Sequence, residues 1–499
     1  MKRRFKKSSY FPCKLNQLES DLKEQYFNSS PDLSSKTLNK DGKKCIVIFI
    51  DYLVNSDNLY DQVVDKIQQT PQWDNPSIKN KVPISGAQER SDIKSIGDDL
   101  LEGGACVYVE GEKSCLTFMI PRVEKRDPER AETESLIFGP QIAFTESLDT
   151  NLNIIHKRMD TSSLKVEKFV VGDTVPTEVR IVYLEDVANE DNVQELKDRL
   201  ESLKIDDAME ASVLTQFIED NSYSIFPQFL STELPDRFCY SLKEGKLGIL
   251  VDKSPSGVIA PVSFFSFFET TEDLYTRWNM GSFTRMLRII AMVLSITLTP
   301  TYVAALTYHY EIIPDALLVS LGHSRTRVPF PPLLEALILE FLIELIREAG
   351  ARLPTKVGQT MGIVGGIVVG QAVVQAGFTS NILIIIVALS ALASFTAPSY
   401  LMGSAIRIIR FPLIIFAGLW GFIGIVASFA FIAIHLIKQR SLNRPYFVPF
   451  YPFQPRDIDN SIIRLPFLHS NKRAYSNNPK QVQRFPKPKK PKNNDIDEE

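Results

Sequence analysis

The sequence predicts a membrane protein with three parts: an N-terminal α/β domain of two subdomains, an all-α transmembrane bundle of four to five spans, and a disordered basic tail. Three observations carry this prediction. Residues 357–406 hold fifty positions without one Asp, Glu, Lys or Arg. Roughly 20 apolar residues cross a hydrocarbon layer of about 30 Å, so this run is long enough for two passes and a turn. Residues 1–284 are charged and mix short β-branched runs with helix-period stretches, the pattern of a water-soluble α/β fold. The stretch 485–492, Phe-Pro-Lys-Pro-Lys-Lys-Pro-Lys, has nothing with which to bury a core.

In chain order, residues 1–41 read as a basic, flexible arm. The first α/β subdomain takes 42–160. It opens on the apolar strand 45–50, followed by a helical pattern to Ile67, and continues with a hairpin at 105–109 and 116–120 about Gly111-Glu112 and a helix ending near Met159. The second subdomain takes 161–284, with strands at 169–171, 177–183, 249–251 and 257–261 and helices at 192–203 and 211–219.

A net charge of −3, with basic residues clustered only at the two ends, gives no footprint for nucleic acid. The five cysteines, Cys13, Cys45, Cys106, Cys115 and Cys239, are odd in number and lack metal-ligand spacing, so they read as reduced thiols of a cytosolic domain. The N-terminus, Met-Lys-Arg-Arg-Phe-Lys-Lys, has no apolar leader, and Arg285 and Arg288 stand at the foot of the first span. Both features place residues 1–285 in the cytoplasm.

The membrane domain, 285–437, offers crossings at 289–310, 358–379, 382–405 and 411–437. Gly358, Gly362, Gly366 and Gly370 recur every fourth residue and make a helix-packing face. Thr360, Val364, Ile367, Gln371 and Gln375 form a stripe roughly opposite that face, and amides facing lipid are costly. Two readings of the stripe stay open. Its amides bond a neighbouring helix, or it lines a pore shared by several copies, with Val364 and Ile367 as an apolar gate. Before it, Pro329-Phe330-Pro331-Pro332 opens an amphipathic helix over 331–349 carrying Glu335, Glu340 and Glu344. That helix lies in the interface with solvated acids, or it provides an acidic ring at a pore mouth; a fifth span follows if it crosses. Residues 438–499 form the Pro/Lys-rich tail, which can touch anionic lipid.

No catalytic signature stands in the chain. There is no phosphate-binding loop, no dinucleotide fingerprint, no zinc-binding His-Glu-x-x-His and no nucleophile elbow, and the five histidines are scattered singly. The expectation is therefore no enzyme, no cofactor and no metal.

Several motifs resemble one family. Gly139-Pro140-Gln141-Ile142-Ala143-Phe144-Thr145-Glu146-Ser147-Leu148 with Asn151 is similar to the Gly-Pro-x-x-x-Phe-x-Glu-Ser signature of the spore-germination receptor A subunits, the GerA family. Phe226-Pro227-Gln228, Thr232-Glu233-x-Pro235-Asp236, Val328-Pro329-Phe330-Pro331 with Glu335, and Arg347-Glu348-Ala349-Gly350-x-Arg352-Leu353-Pro354 resemble its later motifs. So do Gly358-Gln359 and Gly370-Gln371-Ala372, and the resemblance runs in order over about 42–470. It implies a germinant-receptor subunit in the spore inner membrane that works with a transporter-like B subunit and a lipoprotein C subunit. It further implies a homo-oligomeric ring, pentameric by resemblance, forming a nutrient-gated ion channel that triggers germination.

Two rivals come from other classes. A secondary transporter would use a broken helix at Phe395-Thr396-Ala397-Pro398-Ser399. A membrane scaffold would conduct nothing and assemble partners.

Overall fold

Runs of β-branched and apolar residues build the N-terminal half around two sheets. The computed structural model of the chain describes residues 15–27, 33–40, 42–84, 87–122, 131, 134, 136, 138–352 and 370–486. These divide into two units, one drawn from 1–219, 229–261 and 472–486, the other from 220–228 and 262–471.

In the first unit, strands β1 (Leu33–Lys40), β2 (Lys43–Ile50), β3 (Gln88–Arg90), β4 (Gly104–Val109) and β5 (Cys115–Met119) form a sheet in the order β1-β2-β4-β5-β3. All of these pairs are antiparallel. Cys45, Val47, Phe49, Val107 and Phe118 point into one core with Val63 and Ile67 of the helical stretch that follows β2 and Trp73 of the loop after it. The second sheet holds β6 (Leu164–Val171), β7 (Thr177–Leu184), β8 (Leu230–Thr232), β9 (Leu247–Val251) and β10 (Gly257–Ala260), in the order β6-β7-β9-β10-β8, again antiparallel. The strand-then-helix order read from the sequence is present. The pairing is that of antiparallel sheets with helices laid on them, not of parallel βαβ crossovers.

The basic arm expected over 1–41 is shorter than the sequence suggested. Leu15–Asp21 is helical, and Leu15, Leu18, Leu22 and Tyr26 are buried at helical spacing, while β1 pairs along its full length with β2. These residues belong to the first sheet because one leucine stripe is enough to bury a helix whose other faces are polar. Strand β1 escapes notice for the same reason. It is an edge strand, with only Leu33 and Leu38 buried.

Helix Leu148–Arg158 lies between the two sheets' contributions. Its His156 shares a 2.8 Å hydrogen bond with the Tyr52 hydroxyl after β2, and Asn153 donates to the Arg122 carbonyl at 3.2 Å. The Gly-Pro-x-x-x-Phe-x-Glu-Ser motif is the lead-in to this helix. Ser147 caps it, Thr145 and Asn151 bond reciprocally, Phe144 N–H donates to the Glu233 carbonyl at 2.8 Å, and the Phe144 ring meets Phe238 edge-on at 5.5 Å. The signature is therefore a packing and capping device within this unit.

The second unit is helical: α1 (Trp278–Tyr308), α2 (Asp315–Arg325), α3 (Pro332–Arg352), α4 (Gly370–Gln375), α5 (Asn381–Ser394) and α6 (Tyr400–Lys438). By length and composition α1 and α6 can each cross a membrane, and α5 is a shorter apolar helix. The crossings drawn from the sequence differ in three places. Helix α1 begins at Trp278 rather than 289, because Asp273 neutralises Arg285 at 3.2 Å and Arg288 at 2.5 Å, so those cations do not mark its end. The span drawn over 382–405 breaks after Ser394, and Ser399 caps a new helix. The span drawn over 411–437 starts at Tyr400 instead, so Arg407 and Arg410 lie inside α6. Of 358–379, only the part from Gly370 on lies among the described residues.

Helix α6 bends at Gly421, which sits at φ 60°. A Cβ there would stand 2.9 Å from His309 Nε2, so glycine answers both the backbone angle and the close approach.

The tail also differs from expectation. Ser441 and Tyr446 are buried, with the Tyr446 hydroxyl donating to the Pro227 carbonyl at 2.6 Å, and the Phe447 and Phe450 rings pack at a tilt against Phe265. Residues 472–486 complete the first unit, where Arg473 Nε donates to the Lys243 carbonyl at 2.6 Å. Aromatics interleaved with the prolines supply the apolar area that a Pro/Lys tail lacks. Residues 487–499, which hold most of the lysines of the predicted tail, lie outside the described residues.

Candidate functional site

Three polar layers run along α3 inside the helical unit, each centred on an acid that the sequence singled out. Charges in an apolar bundle are costly unless they are paired and hydrogen-bonded. Each layer pairs its acid with an arginine and gives the carboxylate at least one hydrogen bond.

Glu335 is buried next to the start of α5. One carboxylate oxygen accepts from Ser380 N–H at 2.6 Å and from Thr379 Oγ1 at 3.0 Å; the other lies 3.5 Å from Arg325. Ser380 caps α5 through Leu383 N–H, and the Tyr302 hydroxyl of α1 lies 3.0 Å from Ser380 Oγ. The carboxylate thus meets the positive end of the α5 dipole.

Glu340 is the centre of the middle layer. It faces Arg410 of α6 at 2.6 Å, each residue is 1% exposed, and Thr299 of α1 donates to the other carboxylate oxygen at 2.8 Å. Arg410 also donates to Ser295 Oγ at 2.6 Å, and Ser390 of α5 donates to the Ser295 carbonyl at 2.7 Å. One ion pair therefore gathers α1, α3, α5 and α6.

Glu344 forms the third layer with Arg347 at 3.0 Å and Arg407 at 3.6 Å. Arg347 reaches Ser394 Oγ at 3.1 Å and lies 4.6 Å over the Phe395 ring. This layer sits beside the interruption between α5 and α6.

Within the single chain, then, Glu335 and Glu340 face protein, and Glu344 is half-buried against two arginines. An interfacial helix with solvated acids does not describe α3. Of the other residues chosen from the sequence, Thr360, Val364, Ile367, Gly358, Gly362 and Gly366 lie outside the described residues. Gln371 and Gln375 are on α4 and both are exposed, and the position a Cβ would take on Gly370 meets nothing within 4 Å. The partners of the acids, Arg410 and Arg407 with Ser295, Thr299 and Ser380, escaped the sequence reading. The signal was available: acids in an apolar helix and arginines in an apolar run demand one another.

With this geometry in view, the chain can be set beside known proteins. The family described as Bacillus/Clostridium GerA spore germination protein matches residues 20–476. The chain belongs to the GerA family. Among GerA relatives, spore germination protein GerQA of Bacillus cereus is 44% identical over 462 residues, covering 92% of this chain and 93% of that protein. Spore germination protein GerIA of Bacillus cereus is 42% identical over 435 residues, covering 87% of this chain and 65% of that protein. A crystal structure of the N-terminal domain of the A subunit of the Bacillus megaterium spore germinant receptor GerK3 aligns with 51% of this chain and 98% of its own, at 23% identity and a TM-score of 0.40. Membership of the GerA family gives the chain a role in spore germination.

Proposed function

We propose that this chain is the A subunit of a nutrient germinant receptor in the spore inner membrane and that copies of it assemble into a ring, enclosing a germinant-gated ion channel. It acts with a transporter-like B subunit and a lipoprotein C subunit. The observation that carries this reading is the exposure of Gln371 and Gln375, one turn apart on α4, in the uncharged run 357–406. Two amides left facing hydrocarbon cost several kcal/mol, so they need a second copy or a column of water. The stripe that continues from them, Thr360, Val364 and Ile367, supplies the pore wall and its apolar gate. The germinant opens the gate only through a difference in affinity between closed and open states. Placement of the N-terminal unit in the cytoplasm is supported by four buried, unbridged thiols, at Cys45, Cys106, Cys115 and Cys239.

A secondary transporter is the second reading. It is favoured by the interruption at 395–399 between α5 and α6, beside the half-buried Glu344–Arg347 pair. Recordings on the purified assembly in liposomes separate the readings. A channel gives ohmic currents, a carrier gives saturable substrate-coupled flux, and a scaffold gives neither.

A further inference from the structure

The bend of α6 leaves a cavity of about 590 Å³. This volume is within the roughly 300–1,000 Å³ of small-molecule sites. Both arms of α6 line it, with Leu413, Phe416 and Trp420 before the bend at Gly421 and Ala427 and Phe431 beyond it, and the segment holding Ile225 and Phe226 closes one wall. Polar groups are few and placed at one end. The Ser428 hydroxyl is spent on the Gly424 carbonyl at 2.8 Å, whereas His435 Nε2 and Ser224 Oγ, 3.0 Å apart, stand near the end of α6. A polar nutrient would lose its hydration here without gaining partners. An unbranched hydrocarbon chain with a polar group at one end loses nothing.

We propose that this cavity holds one acyl chain of an anionic phospholipid, with the headgroup at the His435 end. Charge complementarity selects the anion: Lys438, exposed one turn beyond His435 on the same helical side, and exposed Arg440 follow at the helix end. Trp420, half exposed and stacked on Phe416 at 5.4 Å, lines the cavity and so reports on a chain inside it. The inference rests on α6 crossing the membrane.

The test uses the full chain, purified in detergent and stripped of lipid, titrated with phosphatidylglycerol brominated in its acyl chain while tryptophan fluorescence is read. Quenching should saturate near one lipid per chain. Ala427→Phe, and independently Ser428→Leu, should cut the saturable part at least five-fold, and Lys438→Gln should bring the affinity for phosphatidylglycerol down to that for phosphatidylcholine. Quenching that rises linearly without saturation overturns the proposal, as does full saturable quenching in either filled variant. An unaltered lipid preference in Lys438→Gln overturns the headgroup assignment. A second copy of the chain covering the cavity would abolish saturable quenching and overturn it too. Alkaline carbonate extraction of native membranes keeps the two levels apart. A chain that stays with the membrane but shows no saturable quenching refutes the cavity alone; a chain that is released refutes the membrane reading as well.

Discussion

Glu340 and Arg410 meet at 2.6 Å in the middle of the helical unit, with each side chain almost wholly excluded from solvent. Removing one partner strands the other as an unpaired buried charge, and such losses run to about 3–5 kcal/mol. Glu340→Leu and Arg410→Met should each destabilise the detergent-solubilised chain on that scale, read as a lower thermal midpoint and lower membrane abundance. The double variant Glu340→Leu/Arg410→Met should recover most of the loss, since an apolar pair carries no desolvation cost. Additive single effects would contradict the pairing.

Glu335 makes a separate prediction because it binds a helix end rather than one arginine alone. Glu335→Gln keeps the size but removes the charge that meets the start of α5 and Arg325. The expected loss is about 1–3 kcal/mol. It should be seen as faster hydrogen exchange at 380–384, and unchanged exchange there would count against the contact.

In the N-terminal unit, burial lowers the pKa of His156 from 6.5 to about 4. The folded form holds the ring neutral, while the unfolded chain takes up a proton below 6.5. Stability from this group is complete above pH 6.5 and is lost as the pH falls from 6.5 to 4, by on the order of 3 kcal/mol. Hydrogen exchange of helix Leu148–Arg158 in the full chain should accelerate between pH 7 and pH 5. His156→Phe should flatten that part of the pH dependence.

Gly421→Ala places a side chain at positive φ and within 2.9 Å of His309 Nε2. The backbone strain alone costs on the order of 1–3 kcal/mol. Thermal melting of the variant should show a drop of at least this size, whereas the same change at exposed Gly322, where a Cβ meets nothing within 4 Å, should be neutral or stabilising.

Much of the N-terminal unit is legible from period and composition, because strands such as β2 and β7 bury enough β-branched residues to declare themselves. What escaped detection did so for physical reasons. Helix Leu15–Asp21 and strand β1 show the core only one leucine stripe and two leucines, and the rest of each is polar. The N-terminal ends of α1 and α6 differ from the sequence-based boundaries because charge does not mark a helix end here. Arg285, Arg288 and Arg410 are neutralised by partners distant in sequence, and no local pattern reveals a partner 15 or 70 residues away. The acids of α3 were singled out correctly as unusual, but which arginines answer them is tertiary information. The prolines near 445–452 suggested disorder, whereas the aromatics between them fill a pocket on Phe264 and Phe265.

In the proposed channel, copies of this chain enclose a gated path for ions along the stripe Thr360, Val364, Ile367, Gln371 and Gln375. The most direct test of that path is the resting conductance, without germinant, of the assembled receptor in a planar bilayer, compared between the native chain and Val364→Ala and Ile367→Ala. A dewetted apolar gate predicts that either truncation raises the resting ohmic conductance several-fold. Resting conductance equal to the native value in both variants, with the assembly intact, would rule out a gate at Val364 and Ile367.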